Sequence, residues 1–248
     1  PVAGASLSGQ VRRVGDRPLI WRECRLPLFR SLATRLVGIL IPALLMGLIY
    51  LSCATAEVFD EEGLHGVLVS MFVALGAGAV SILAATTISS EKEAQTLGLL
   101  LTTPLSDWRI LIAKAVGVLR KCAPVWMPLA VHLLLFTLAG LIHPIVTVHV
   151  AMVVTSVVAL LGGTGLYFGA RLRRTTTAVV MNLGMALVLW FILPVLVGTL
   201  GEISGPGDES TLGQACWMAN PVVQSYVVTE AASGEPRAGR PLGRLNYD

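Results

Sequence analysis

Polar side chains interrupt the long apolar stretches of this sequence, and five of them are the first residues to consider for ligand binding or proton transfer. In an apolar environment such groups can line a pathway, although a histidine or threonine that bonds to a neighbouring backbone carbonyl is commoner. No acid stands beside them that would complete a proton relay. We therefore expect structural roles for most of this set, which comprises His132, His149, Thr155, Thr175 and Asn182.

The motifs of the common enzyme classes are absent from the sequence. There is no GxxxxGK[ST] loop to hold nucleotide phosphates, no GxSxG turn, no HExxH helix and no dinucleotide-binding fingerprint. Four cysteines, Cys24, Cys53, Cys122 and Cys216, have neither CxxC spacing nor a companion histidine cluster. Cys53 and Cys216 would be able to pair if both faced an oxidising compartment. We expect no catalytic residue, metal or cofactor in this chain.

Composition places the chain in a membrane. Hydrophobic residues make up 54% of its 248 residues and charged residues only 13%, whereas soluble domains carry about 25% charged residues. Five uncharged stretches reach the roughly 20 residues that a helix needs to cross the hydrocarbon core. Two of them share one charge-free run, which His143 and Pro144 divide. We predict an all-α integral membrane protein with spans at 36–56, 66–90, 122–142, 145–170 and 175–200.

The positions of lysine and arginine indicate the direction of insertion, because short loops rich in these residues stay in the cytoplasm. Of the 18, seven precede the first span, five lie between the second and third, and three lie between the fourth and fifth. The intervening segments contain none. We expect a multi-pass protein of a bacterial cell membrane with its N-terminus in the cytoplasm. The formal net charge of +3 gives no reason to expect a nucleic-acid partner.

Three regions follow from this topology: a cytoplasmic region 1–35, a transmembrane domain 36–200 and an external segment 201–248. In the first region the pattern indicates a basic amphipathic helix on the membrane surface. Its apolar residues recur every four positions, at Ile20, Cys24, Leu28 and Leu32. A charged flank that only anchors the topology is the alternative. Because the chain begins at Pro1 and ends outside, we expect a fragment whose sixth span is missing.

The cytoplasmic segment 91–121 joins the second and third spans. Ser90 and Glu93 have the spacing of a capping box, which predicts that a short helix begins there. Pro104 would end this helix, and Ser106 would cap the next one. One face of the short helix carries a stripe of leucines, Leu97, Leu100 and Leu101. Either the transmembrane bundle of this chain or another subunit must cover that stripe.

Small residues recur at a spacing of four in two of the spans. In lipid, small side chains allow helix backbones to approach closely. We therefore expect close helix contacts at these positions, within the chain or across a dimer. The residues are Ala77, Ser81 and Ala85 in the second span, with Gly165 and Gly169 in the fourth.

The stretch 88–114, ISSEKEAQTLGLLLTTPLSDWRILIAK, resembles the segment after the second span in ABC-2 type transporter permeases. That family shows an acid-basic-acid triplet, a Thr-Leu pair, a leucine run, Pro-Leu-Ser and an Ile-Leu-x-x-Lys segment. The matching residues are Glu91-Lys92-Glu93, Thr96-Leu97, Leu99 to Leu101, Pro104-Leu105-Ser106 and Ile110 to Lys114. The family also has six spans and a long external segment with short re-entrant helices, for which 219–231 is the candidate here.

The resemblance implies the permease subunit of an ATP-driven exporter, which forms the translocation path with a second copy or a homologous permease. A separate cytoplasmic ABC ATPase would bind ATP and Mg, so this chain would not be an enzyme. The coupling surface would consist of Glu91, Glu93, Thr96, Leu97, Leu100, Leu101 and Pro104. A structural or assembly membrane protein that anchors a complex without transport is the alternative. A membrane-embedded enzyme is disfavoured, because no span holds paired acids or an activated nucleophile.

Overall fold

The computed structural model describes residues 18–25, 44, 46–56, 63–98, 102, 106–204 and 209–233, which are helical apart from short turns. In chain order the helices are α1 (Pro18–Arg25), α2 (Met46–Thr55), α3 (Leu64–Glu93), α4 (Asp107–Leu138), α5 (Pro144–Arg171), α6 (Thr175–Leu187), α7 (Leu193–Ser204), α8 (Glu209–Met218) and α9 (Pro221–Ser233). A π-helical segment, Val188–Ile192, joins α6 to α7 in one rod. No strand occurs in the described part of the chain, so the prediction of an all-helical protein is confirmed.

Within the described residues, four rods are long and apolar enough to cross a membrane: α3, α4, α5 and the α6–α7 rod over Thr175–Leu200. They contain 30, 32, 28 and 26 residues. At about 1.5 Å per residue each exceeds the roughly 30 Å of the hydrocarbon core. They overlap the four predicted spans from 66–90 onwards. The prediction of a multi-pass membrane protein is confirmed by these rods.

Only part of the predicted first span, 36–56, lies among the described residues. Residues 44 and 46–56 are described there, and α2 is the short apolar helix that they contain. The remaining residues of that span lie outside the described part of the chain. Most of the predicted amphipathic helix also lies outside the described residues, and α1 is its described portion.

Large apolar side chains cover the outside of the long helices. Leu134, Leu138, Met152 and Val180 are between 60% and 77% exposed. A water-soluble protein rarely exposes so much continuous apolar surface. Lipid tails are as apolar as these side chains, so a bilayer is the solvent that matches the surface.

The centre of the bundle is α3, against which α4, α5, α6 and α9 pack. The small residues Ala77, Ser81 and Ala85 are all buried in this helix. Towards its C-terminal end α3 approaches α5 very closely. A Cβ added at Gly165 would lie 2.6 Å from the Cβ of Ala84, and one at Gly169 would lie 2.7 Å from the carbonyl oxygen of Ala85. This close approach therefore lies within one chain.

The turn between α4 and α5 lies at the predicted His143-Pro144 break. Gly140 adopts a φ of 79°, a left-handed conformation that a residue with a side chain adopts at a cost. Pro144 occupies the first turn of α5, where its missing N–H has no helical partner to lose. The His143 ring accepts a hydrogen bond from the backbone N–H of Ile145 at 3.2 Å and so caps the helix.

Helix α9, from the predicted external segment, returns along α3. A Cβ added at Gly66, near the start of α3, would lie 3.0 Å from the Tyr226 ring and 3.1 Å from the Tyr226 carbonyl oxygen. Just before α9, the Asn220 side chain is buried and donates to the carbonyl oxygen of Trp190 at 2.8 Å. The candidate re-entrant stretch 219–231 thus packs into the bundle as a helix.

The predicted capping box at Ser90 and Glu93 is wrong. These residues lie inside the last turns of α3, which continues without a break to Glu93. A helix cap requires a non-helical residue with free N–H groups after it, and here the N–H groups after Ser90 already belong to the helix. The segment after α3 begins instead with a turn at Ala94 and Gln95. Helix α4 does begin at Asp107, directly after Ser106, but the Ser106 side chain forms no cap hydrogen bond.

Candidate functional site

The acid-basic-acid triplet Glu91-Lys92-Glu93 forms the last turn of α3. Successive residues of a helix point about 100° apart, because one turn takes 3.6 residues. The three charged side chains therefore point in different directions from a single turn. Each one bonds to a different part of the chain.

Glu91 binds the side chain of Lys114 in α4. Its Oε1 accepts from Lys114 Nζ at 2.5 Å, and Arg22 Nη2 of α1 lies 3.4 Å from the same oxygen. Lys114 Nζ also donates to Glu23 Oε1 of α1 at 2.7 Å. The side chains of Lys114 and Glu23 are only 2% and 1% exposed, whereas that of Glu91 is 14% exposed. Two anions and two cations thus join α1, α3 and α4.

This cluster is costly to assemble and costly to break. Each buried ion loses its hydration, and only good geometry with further hydrogen bonds restores that loss. Here one buried ammonium serves two carboxylates, and no hydrogen-bond partner among the described residues reaches Glu91 Oε2. A cavity of about 230 Å³ opens beside the cluster, lined by Glu23, Leu83, Thr86, Thr87, Ser90, Glu91, Lys114 and Lys121.

Lys92 binds the C-terminal end of α5. Its Nζ donates to the carbonyl oxygen of Ala170 and, at 3.3 Å, to that of Leu172. The last carbonyls of a helix have no partner within the helix and carry its negative partial charge. A lysine in this position satisfies the carbonyls and complements their charge.

Glu93 caps the N-terminus of α6. Its Oε1 accepts from the backbone N–H of Thr175, the first residue of α6, at 2.7 Å. The residue that normally caps a helix is its own N-cap, which here is Arg174 and forms no side-chain cap hydrogen bond. A carboxylate from α3 supplies both the acceptor and the negative charge that a helix N-terminus favours.

A tight turn follows the triplet at once. Gln95 has a φ of 57°, in the left-handed region that glycine usually occupies at this position. Its N–H donates to the Lys92 carbonyl at 3.1 Å, and the N–H of Thr96 donates to the Glu91 carbonyl at 3.0 Å. These two bonds form a Schellman motif, which ends α3 and fixes where the next segment begins.

The predicted coupling residues occupy different environments. Thr96 is exposed, and its hydroxyl donates to the Glu91 carbonyl at 3.2 Å. Leu97 is half-buried and packs against the main apolar core of this chain. Leu100, Leu101 and Pro104 lie outside the described residues. The helix bundle of this chain therefore covers at least part of the Leu97 side chain.

The polar groups within the spans bond mainly to the helices themselves. Asn182 is fully buried, and its Nδ2 donates to the carbonyl oxygens of Ser81 and Leu161, both at 3.1 Å. Thr164 donates to Asn182 Oδ1 at 2.8 Å, so three helices meet at this amide. Thr155 donates to the Ala151 carbonyl of its own helix at 2.7 Å.

Histidines and aromatic rings form a second cluster, near the start of α3. His132 Nδ1 lies 2.6 Å from the Tyr50 hydroxyl, and its ring lies 5.5 Å from the His65 ring. Phe72 and Phe136 complete the cluster around the buried His132. Among the described residues no group of three His, Cys, Asp or Glu could hold a metal ion. All four cysteines have free thiols, and this includes Cys53 and Cys216.

Sequence reasoning missed Glu23 as a site residue and treated Lys114 as a topological charge and as the end of the family segment Ile110 to Lys114, not as a site residue. A signal was present for both. Lys114 lies within an apolar run, ILIAKAVGVL, in which a solvated lysine has no obvious place. Glu23 lies four residues after Leu19 and so on the same helix face, and both are buried against α4. The residues of this buried face each precede by one position the predicted apolar residues Ile20 and Cys24.

Comparison with known protein families gives a match. No curated protein and no solved structure matches the chain. The family described as ABC-2 family transporter protein matches residues 27–219, which cover most of the chain and include all four long apolar rods and the triplet. The chain therefore belongs to the ABC-2 family of transporter proteins.

Proposed function

We propose that this chain is the permease subunit of an ATP-driven exporter, and that its partner ATPase acts on the segment that follows α3. Membership of the family makes the chain a membrane permease of an ABC transporter, which works with a cytoplasmic ABC ATPase. Export, the position of the coupling surface and the pairing with a second permease copy are parts of the proposal. ATP and Mg would be bound by the partner.

The main support for the proposal is that the three side chains of Glu91-Lys92-Glu93 bind to four other helices. Glu91 holds α1 and α4, Lys92 holds α5 and Glu93 holds α6. A push on the segment after α3 would therefore act on every long rod at once. Rigid elements that are tied together in this way move as bodies, which is how a small displacement at an interface becomes a change between two states.

Gly98 offers a direct test of the coupling surface. It is exposed, and no atom of the described residues lies within 4 Å of the position that a Cβ would take. Gly98→Trp therefore has room within the chain, whereas Leu97→Asp would also damage the core. If the ATPase docks here, Gly98→Trp should lower ATPase co-purification by at least about tenfold, the cost of losing roughly 1.4 kcal/mol of docking energy.

The matched control is Gly162→Trp in α5, where a Cβ also meets no atom of the described part of the chain within 4 Å. This variant should retain the ATPase, because residue 162 lies within a span rather than beyond its end. Both variants must insert into the membrane and remain monodisperse. Equal ATPase recovery with Gly98→Trp and with the parent chain would refute the coupling surface.

Transport itself is tested by reconstituting the complex in proteoliposomes. ATP-driven movement of labelled lipids or amphipathic dyes from the ATPase side would support the exporter. A complex that binds the ATPase and stays intact, yet moves none of these probes in either direction, would instead favour the anchoring protein that is the alternative.

A further inference from the structure

A basic pocket of about 500 Å³ lies between the last turn of α3 and the loop that joins α5 to α6. Its lining residues are Lys92, Glu93, Gln95, Arg171 and Arg173. Three of these carry a positive charge and one carries a negative charge. The single carboxylate is engaged with the N-terminus of α6, since Glu93 Oε1 accepts from Thr175 N. The pocket therefore presents more hydrogen-bond donors than acceptors.

The cations are available to an anion. Neither Arg171 nor Arg173 takes part in the ion pairs found within the described residues, and both are exposed. Lys92 directs two of its three N–H groups to the carbonyls of Ala170 and Leu172, which holds its head in place and leaves one donor. A phosphate group suits this set, because guanidinium forks bind its oxygens in pairs.

The residues along α5 that lead to the pocket have the order found at a membrane surface. Tyr167 is 63% exposed on α5 and lies one turn before Arg171 on the same face. Leu160, two turns earlier on that face, is also exposed. The outer face of α5 thus changes from apolar to aromatic to basic as the helix leaves the bilayer. This order is typical of the membrane–water interface.

We propose that this pocket binds the phosphate of an anionic phospholipid, whose acyl chains lie along Tyr167 and Leu160. Lipid binding requires only that α5 and α6 span a bilayer. The identity of the leaflet, which would be the cytoplasmic one, depends on the orientation assumed in the proposed function. A lipid here would contact the two links that Lys92 and Glu93 make between α3, α5 and α6.

Native mass spectrometry of the purified full chain, from mixed micelles that contain phosphatidylglycerol and phosphatidylcholine, tests the proposal. The parent chain should retain phosphatidylglycerol in preference. Arg171→Gln/Arg173→Gln should lower this preference, by about fivefold for each arginine removed. Arg171→Lys/Arg173→Lys keeps the charge and should retain most of the preference for phosphatidylglycerol. The matched control, Arg109→Gln/Arg120→Gln, removes two exposed arginines elsewhere and should behave like the parent.

Two further measurements test whether the bound phosphate belongs to a lipid or is free, and whether the pocket binds the ATPase instead. Inorganic phosphate at millimolar concentration should not displace the lipid, and displacement would show that the pocket is a free-phosphate site. Recovery of the partner ATPase should be unchanged in Arg171→Gln/Arg173→Gln. The proposal is overturned if the parent shows no preference for phosphatidylglycerol, if the control loses it equally, or if only ATPase recovery falls.

Discussion

Lys114 and Glu23 form an ion pair of 2.7 Å in which both side chains are almost completely buried. They are 91 positions apart in the sequence. The pair fixes α1, which precedes the transmembrane domain, against the first turns of α4. Together with Glu91 it makes the end of α3 the meeting point of three helices, so the stability of this cluster should control the integrity of this end of the bundle.

Removing the shared cation should be strongly destabilising. Lys114→Met leaves Glu23 and Glu91 close together without their ammonium, and breaking a buried pair in this way costs about 3–5 kcal/mol. The triple variant Lys114→Met/Glu23→Leu/Glu91→Gln should recover most of the loss, because no buried charge then lacks a partner. Thermal unfolding of the detergent-solubilised chain measures both. A single variant as stable as the parent would contradict this account of the cluster.

Glu93 should determine how firmly the first turn of α6 is held. Glu93→Ala removes the acceptor and the charge that cap Thr175, whereas Glu93→Gln keeps an acceptor and loses the charge. Hydrogen exchange of the amides from Thr175 to Ala178 should therefore be fastest in Glu93→Ala, intermediate in Glu93→Gln and slowest in the parent. Lys92→Met acts on α5 instead and should leave these amides unchanged. Equal exchange in all the variants would show that the cap has no energetic role.

The contact between α3 and α5 should tolerate no added methyl group at Gly165. The new Cβ would lie 2.6 Å from the Cβ of Ala84 and 3.0 Å from the backbone nitrogen of Ala85. Backbone atoms cannot move aside as a flexible side chain can, so Gly165→Ala should destabilise the chain by about 1–3 kcal/mol. Gly162→Ala, three residues earlier where no described atom lies within 4 Å, is the control and should be neutral or slightly stabilising. Thermal unfolding compares the two, and equal melting temperatures would refute the close contact.

Asn182 should contribute measurable stability although it lies in an apolar span. Asn182→Leu removes two donors and the acceptor of Thr164, and hydrogen bonds between membrane helices contribute about 0.6 kcal/mol each, with a maximum near 1.7. We expect a loss of about 1–2 kcal/mol in a chemical unfolding experiment. Thr155→Val removes a hydroxyl that bonds only to its own helix and should change little. A loss of similar size in both variants would argue against a special role for the amide.

Features that depend on neighbouring residues were readable from the sequence. Hydropathy depends on runs of adjacent side chains, so the long rods at 66–90, 145–170 and 175–200 and the break at His143 could be predicted. The resemblance of the triplet region to ABC-2 permeases is equally local, and the family match over residues 27–219 confirms it. The spacing of Ser90 and Glu93 was misleading, because a capping box and the interior of a longer helix can contain the same residues. Local spacing does not reveal that α3 continues to Glu93.

The partners of the charged residues were decided only by the tertiary structure. The sequence shows that Glu91, Lys92 and Glu93 are charged, but not that they reach α4, α5 and α6. Those contacts depend on the register in which long helices pack, and a shift of one residue would rotate each side chain by about 100°. Glu23 and Lys114 meet because α1 lies against α4. These segments are distant in the sequence, and the residues around either one do not reveal its partner. The sequence by itself thus determined a helical membrane protein and its family, while packing decided which charges bind to one another.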